Sequence, residues 1–298
     1  LNFAQVRRRE RRRKLYQKDM RRAPIPAFFE NFAGHDRTDF PSPLVRVTGG
    51  PGGEAILILG SKKTALYDCG MACFEKNLIH NLQTVLDREG KTLDYILLSH
   101  THYDHIGALP YVLKVWPEAV VCGAQKAKQV FAHPNARATM EHLGNQAKEL
   151  YGISDVEITA EGLRVDLVLA DGDSLSLGNE TVTAYETKGH TDCSMSFLLS
   201  PQKILFTSES TGLQATPELI NTSPVKSYED SFASAERLKN IDVNYLMIPH
   251  YGVLPPECNG TFFDDYRKEA ELERSMLENA IRQGLSDEEV LKLHMRRY

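Results

Sequence analysis

No stretch of this 298-residue chain approaches the run of about 20 apolar residues needed to cross a bilayer, and the N-terminus lacks a hydrophobic signal core. A membrane-spanning or exported protein is therefore not expected, and the cytoplasm is the compartment the sequence favours. Cysteines are few. Cys69, Cys73, Cys122, Cys193 and Cys258 are odd in number and scattered through a chain too large to need disulfide staples, which favours reduced thiols. Positive charge is in deficit, with a net charge of −5, so the chain as a whole has no cationic field to recruit nucleic acid. Repeats and low-complexity tracts are missing as well. What is present is enough apolar side chain, 42% of residues, to bury a substantial core.

Organisation follows from the pattern of apolar residues. Residues 1–22 form a basic, helical-looking arm, densest at Arg7 to Lys14, and are expected to be a solvated extension. Pro24, Pro26, Pro41 and Pro43 punctuate the irregular stretch that follows. From residue 55 short β-type runs begin: 55–59 and 64–68 read as a hairpin joined by a Gly-Ser-Lys-Lys turn. Helix-spaced apolar residues occupy 72–89, and the compact run 93–98 reads as a buried strand that delivers His100 at its carboxyl end. Residues 124–151 read as a helical insertion broken at His133-Pro134. A second β-rich block is expected, with strands near 165–169, 181–187, 193–199 and 203–207, then a helix near 229–239 and a strand at 243–248. The tail from 261 is helical and charged, with a break and N-cap at Gly284 to Asp287. These readings divide the chain into an arm (1–45), a central domain (46–258) and a helical C-terminal cap (259–298).

The chemistry concentrates just beyond the buried strand. His100, His102, Asp104 and His105 place three imidazoles and a carboxylate within six residues, the nitrogen and oxygen donors that zinc, iron or manganese requires.

This His-x-His-x-Asp-His run after a strand resembles the signature of the metallo-β-lactamase superfamily, which implies an α/β fold, an αββα sandwich with its metals at one edge. Further motifs match in family order from about residue 55 to 252. Tyr67-Asp68-Cys69-Gly70 is similar to the early Asp-x-Gly turn, whose acid supports the ligand loop. Gly189-His190-Thr191 looks like the second ligand loop, and Ile248-Pro249-His250-Tyr251-Gly252 the final one. Phe206-Thr207-Ser208-Glu209 ends a strand where the family presents a Gly-Asp pair whose carboxylate bridges the metals. The resemblance implies two divalent metal ions, zinc first among the candidates with iron or manganese also suited. His100, His102 and His190 would hold one, Asp104, His105 and His250 the other, and Glu209 would bridge them. Glu209 departs from the pattern by one methylene, so it could bridge in an altered geometry, bind one metal only, or weaken one site.

The resemblance further implies hydrolysis by a hydroxide shared between the metals. Asp104 would steer it or handle a proton, and Asp68 would orient ligands from behind. Cys193, three residues after His190, is expected to be a buried strand thiol, and Tyr103 and Tyr251 to pack as readily as to touch substrate. His35, His80, His133, His142 and His294 lack ligand-spaced partners. Within the superfamily, flavodiiron-type oxygen reduction is disfavoured because that branch places Glu where His102 stands. The helical tail resembles glyoxalase-II-like thioesterases, and residues 99–112 the quinolone-signal-response thioesterases. The expected activity is hydrolysis of a small ester, thioester or lactone. The alternatives are a phosphodiesterase of the same fold, and a metal-containing binding or regulatory protein with little turnover.

Overall fold

The computed structural model describes residues 40–295 except 217–218, 223–224 and 255; most of the basic arm, with His35, lies outside these. The first sheet opens with β1 (Leu44–Arg46), β2 (Ile56–Leu59) and β3 (Thr64–Tyr67), paired antiparallel, so the 55–68 hairpin forms as read. Because β1 pairs with β2, regular structure begins just before the expected boundary at residue 46. After a 3₁₀ turn at Ala72–Phe74, helix α1 (Glu75–Glu89) lays Leu78, Leu82, Val85 and Leu86 into the core. Burying each is worth about 1.5–3 kcal/mol, which fixes the helix on the sheet. The chain then enters β4 (Tyr95–Leu97), parallel to β3, as a helical crossover allows.

Two short helices, α2 (Tyr103–Ile106) and α3 (Leu109–Val115), lead to β5 (Val120–Gly123), parallel to β4. The expected insertion forms α4 (Gln125–Phe131) and α5 (Pro134–Leu150), broken at His133-Pro134 where the proline ring opens the second helix. Here the structure corrects the sequence reading. The run at 165–169 yields only β6 (Leu167–Val168), and it joins the first sheet beside β5 rather than the second β block. The Asp166 carboxylate accepts the Val121 N–H at 3.0 Å while its own N–H donates to the Val121 carbonyl at 2.8 Å, and this steers the chain onto that edge.

The second sheet contains β7 (Ser174–Ser176), β8 (Thr181–Glu186), β9 (Met195–Ser200) and β10 (Ile204–Phe206) as an antiparallel meander. After the small hairpin β11 (Leu213–Thr216) and β12 (Leu219–Asn221), helix α6 (Tyr228–Lys239) crosses over to β13 (Tyr245–Ile248), parallel to β10, and β14 (Gly252–Val253) closes the edge. The sheets face each other through one apolar core: Tyr67 of the first meets Phe197 and Phe206 of the second, with ring centroids 6.1 and 4.8 Å apart. This is the αββα architecture of the sequence reading.

The described residues up to Tyr266 make up one compact unit, and those from Arg267 belong to a second. The tail carries α7 (Phe262–Arg282) and α8 (Asp287–Met295), helical as read. The Ser286 hydroxyl accepts the Glu289 N–H while the Glu289 carboxylate accepts the Ser286 N–H, a reciprocal cap at the expected break. Among the described residues no helix is long and apolar enough to cross a membrane.

Candidate metal centre

Both sheets present the carboxyl ends of their parallel-running strands to the same edge. Asp68 follows β3 and residues 98–105 follow β4; His190 follows β8, Glu209 follows β10 and His250 follows β13. Side chains distant in sequence therefore converge where strands stop and loops start, the usual place for a site in an α/β protein. All seven donors expected from the sequence are brought together. They form two groups, His100, His102 and His190 in one and Asp104, His105, Glu209 and His250 in the other, each with its donor atoms within 4.8 Å of one another.

A hydrogen bond to the far side of the His100 ring sets its direction in the first group. The Ser99 hydroxyl donates to Asp68 Oδ2 at 2.6 Å, which leaves its oxygen to accept from His100 Nδ1 at 3.0 Å. His100 Nε2 is then a bare acceptor, buried without a hydrogen-bond partner. His102 Nδ1 and His190 Nε2 face each other at 2.9 Å. Gly189, at φ +137, allows this loop to approach α6, because a Cβ there would lie 2.0 Å from Ser231 Oγ. The His190 N–H donates to Ser210 Oγ at 3.0 Å and ties the loop to the turn that carries Glu209.

The second group is organised by Asp68, which is fully buried and held at φ 51, a conformation rare for a residue with a side chain. Its carboxylate accepts the Ser99 N–H at 2.8 Å and the His105 Nδ1–H at 2.8 Å, so His105 turns Nε2 to the centre. There Nε2 lies 3.2 Å from His250 Nε2. His250 also has a positive φ, 61, at the end of β13. Asp104 Oδ2 stands 3.8 Å from His105 Nε2 and 3.7 Å from His250 Nε2.

Glu209 spans the two groups. Its Oε2 lies 3.2 Å from His190 Nε2, and its Oε1 lies 2.7 Å from His105 Nε2, 3.1 Å from His250 Nε2 and 3.7 Å from His100 Nε2. The charges respond to this crowding. Burial pushes the Glu209 carboxyl up, but His190, His105 and His250 overcome it and hold the group well below the usual carboxylate range. Burial, with His105 and His102 nearby, drives His100 well below the ordinary imidazole value, and burial with His190 brings His102 down to about 4. His105 and His250 go the other way: burial lowers both, but Asp104, Asp68 and Glu209 raise the first well above its ordinary value and Glu209 raises the second.

These residues fit divalent cations. Imidazole nitrogens facing each other at 2.9 and 3.2 Å, an unpartnered buried Nε2 on His100, and a carboxylate shared between the groups are the contacts expected where cations balance converging lone pairs. Ser99 and Ser210 were not singled out from the sequence. Their only signal was position, one residue before His100 and one after Glu209.

Other candidates lie elsewhere. Cys193 precedes β9 instead of lying within it, because pairing with β8 begins only at Met195; its thiol sits 3.4 Å from Thr101 Oγ1 and 3.3 Å from Thr191 Oγ1. All five cysteines are unpaired. His80, His133 and His142 are exposed, and His294 pairs with Glu273 at 3.0 Å. Tyr251 is buried, and Tyr103 is half-buried against the apolar cluster around Met71 and Tyr111.

Comparison with known proteins agrees with this arrangement. The family model of the metallo-β-lactamase superfamily matches residues 48–250, and the chain belongs to that superfamily. Over 203 residues it is 27% identical to the metallo-β-lactamase fold-containing protein ST1585 of Sulfurisphaera tokodaii, covering 67% of this chain and 73% of the relative. The solved structure of that archaeal protein superposes with a TM-score of 0.56 at 23% identity, over 76% of this chain and 85% of the other, a likeness of fold. A rubredoxin-oxygen oxidoreductase of Megalodesulfovibrio gigas is 26% identical over 58% of this chain and 37% of its own length. A hydroxyacylglutathione hydrolase of Bartonella henselae is 25% identical over 50% of this chain and 45% of its own length. The chain thus spans less than half the length of these last two relatives.

Proposed function

We propose that this protein is a dinuclear metal-dependent hydrolase of a small ester, thioester or lactone, with thioesters as the leading class. The observation that carries the reading is the position of Glu209, whose two carboxylate oxygens reach imidazoles of both donor groups. His100, His102 and His190 would hold one cation, Asp104, His105 and His250 the other, and Glu209 would contact both. Bound divalent cations lower the pKa of water and polarise a carbonyl oxygen, which supplies hydrolytic chemistry without a serine or cysteine nucleophile.

The chain's own groups supply position and proton handling. Asp68 and Ser99 fix the rings of His105 and His100 from behind. Asp104, with its side chain 20% exposed, is the acid placed to take up or release a proton at Oδ2 on the open side. Water adds to the acyl carbon, the carbon–sulfur bond breaks, and the leaving thiolate takes a proton, giving acid and thiol.

The hydroxyacylglutathione hydrolase likeness favours thioesters. An imidazole at His102, where the resemblance implies that the oxygen-reducing branch carries a glutamate, weighs against that chemistry. The test is metal content by plasma mass spectrometry on protein purified without a metal-binding tag, paired with kinetics on hydroxyacyl and acyl thioesters. About two metals per chain, falling in His102→Ala and Glu209→Ala, with saturable turnover is the expected outcome. Two metals without turnover on any ester, thioester or lactone would transfer the reading to a binding protein, and metal-free protein that cannot be reloaded would end it.

A further inference from the structure

The stretch Gly49-Gly50-Pro51-Gly52-Gly53 matches none of the ligand motifs, yet its last residue, Gly53, lies beside the second donor group. Asp104 and His105 sit on α2, a single helical turn, and a lone turn has almost no stability of its own. The carbonyls of Asp104 and His105 find their donors in other segments. The next residue that would continue the helical ladder, Ala108, donates to the Gly70 carbonyl instead. The Asp104 carbonyl accepts the Gly53 N–H at 3.0 Å, and the His105 carbonyl accepts the N–H groups of Cys69 at 2.7 Å and Gly70 at 3.1 Å. Cys69 and Gly70 belong to the turn after Asp68, already matched to a known motif. Gly53 comes from a different loop, the connection between β1 and β2.

Gly53 is buried, and the space around it admits no side chain. A Cβ there would stand 2.4 Å from the Asp104 carbonyl oxygen and 3.1 Å from Cγ of the His105 ring. Neither neighbour is the free end of a flexible side chain. One is the backbone that carries a metal donor, and the other is a ring already held by Asp68. Any side chain at 53 therefore pushes on Asp104 and His105 together, while its nearest contacts include no residue of the first group.

We infer that Gly53 is a positioning residue for the second metal: its N–H and its missing side chain together set where α2 presents Asp104 and His105. The inference rests on the two-cation reading above. It requires that filling this position weaken the second cation and spare the first. By reciprocity, loading of the second cation must in turn tighten the contact of the Gly53 amide with Asp104.

The test titrates metal-free full-length protein with cobalt(II), following absorption in the visible region and bound cobalt per chain, in wild type, Gly53→Ala and the control Gly123→Ala. At Gly123 an added Cβ meets nothing nearer than 3.5 Å. Wild type and control are expected to bind two equivalents. Gly53→Ala is expected to bind the first as wild type does and the second on the order of 10–100-fold more weakly, with a changed spectrum for that equivalent. Equal weakening of both equivalents, or wild-type binding of both, overturns the positioning role while leaving the two-cation reading in place. Wild-type protein that binds fewer than two overturns that reading itself, and the inference with it. Should Gly53→Ala fail to fold, amide exchange of Gly53 in wild type decides: protection must rise with the second equivalent of cobalt and not with the first, and a flat response across the titration overturns the inference.

Discussion

Asp68 does more for the centre than its position outside the two donor groups suggests. One buried carboxylate accepts from the Ser99 backbone, the Ser99 hydroxyl and the His105 ring, so it orients one ring in each donor group. Asp68→Asn keeps the shape but turns an amide N–H toward one of these donors. Metal affinity in a chelator competition is expected to fall about 10–100-fold, and wild-type affinity would show that Asp68 has no orienting role. A second prediction concerns the thiols. Burial raises Cys73 to about 11 and, with Asp166 nearby, Cys122 to about 12, while Cys258 is partly exposed. A raised thiol pKa lowers the reactive thiolate fraction at neutral pH. Alkylation of native protein at pH 8 should therefore label Cys258 first, and the labelling of Cys73 and Cys122 should accelerate as pH climbs toward their values. Early labelling of Cys122 in mass-spectrometric mapping would contradict this. The histidines were legible in the sequence because three imidazoles and an acid in six residues are rare. Ser99 and Ser210 were not, because serine is common and a hydroxyl's value depends on what the fold places beside it.

Among the elements, those with strong periodicity were read well and those defined by pairing were not. Helix α1 announces itself through Leu78, Leu82, Val85 and Leu86, and the insertion through its His133-Pro134 break. Strand β6 carries no such signal: two residues long, it joins the first sheet where Asp166 bonds to Val121 on one side of it and Leu169 to Gly123 on the other. The three-residue turn that presents Glu209, Glu209–Thr211, was likewise invisible, being held by Ser208 and by the loop of His190. Helix α6 gives a test at this scale. Its first turn is capped by the Ser227 hydroxyl, which accepts the Asp230 N–H at 3.1 Å, while the Gly189 carbonyl accepts the Lys226 and Ser227 N–H groups just before it. Ser227→Ala should cost about 1 kcal/mol in denaturant unfolding, and a loss below a few tenths would mean that the cap is replaced by other contacts.

For the sandwich as a whole, stability rests on the interior shared by its two sheets. Phe197 is fully buried between the sheets against Tyr67. Phe197→Ala should destabilise the protein by about 3–5 kcal/mol in equilibrium unfolding, and a value under 1 kcal/mol would mean that the two sheets repack around the gap. The fold class was legible because ligand motifs in a fixed order imply one architecture; the arrangement of strands within each sheet was not, because β1 and β14 are short edge strands with little periodicity.

The facing imidazoles of the centre are far apart along the chain: His102 and His190 by 88 residues, His105 and His250 by 145. Such contacts close late, because large loops must be ordered before they form. Neither half of this chain holds a complete donor set, so on the two-cation reading the full set of ligands exists only in a molecule that has joined its two sheets. Metal uptake during refolding would then report the joining of the sheets, and a chain stalled with one sheet formed would offer a cation only a partial donor set.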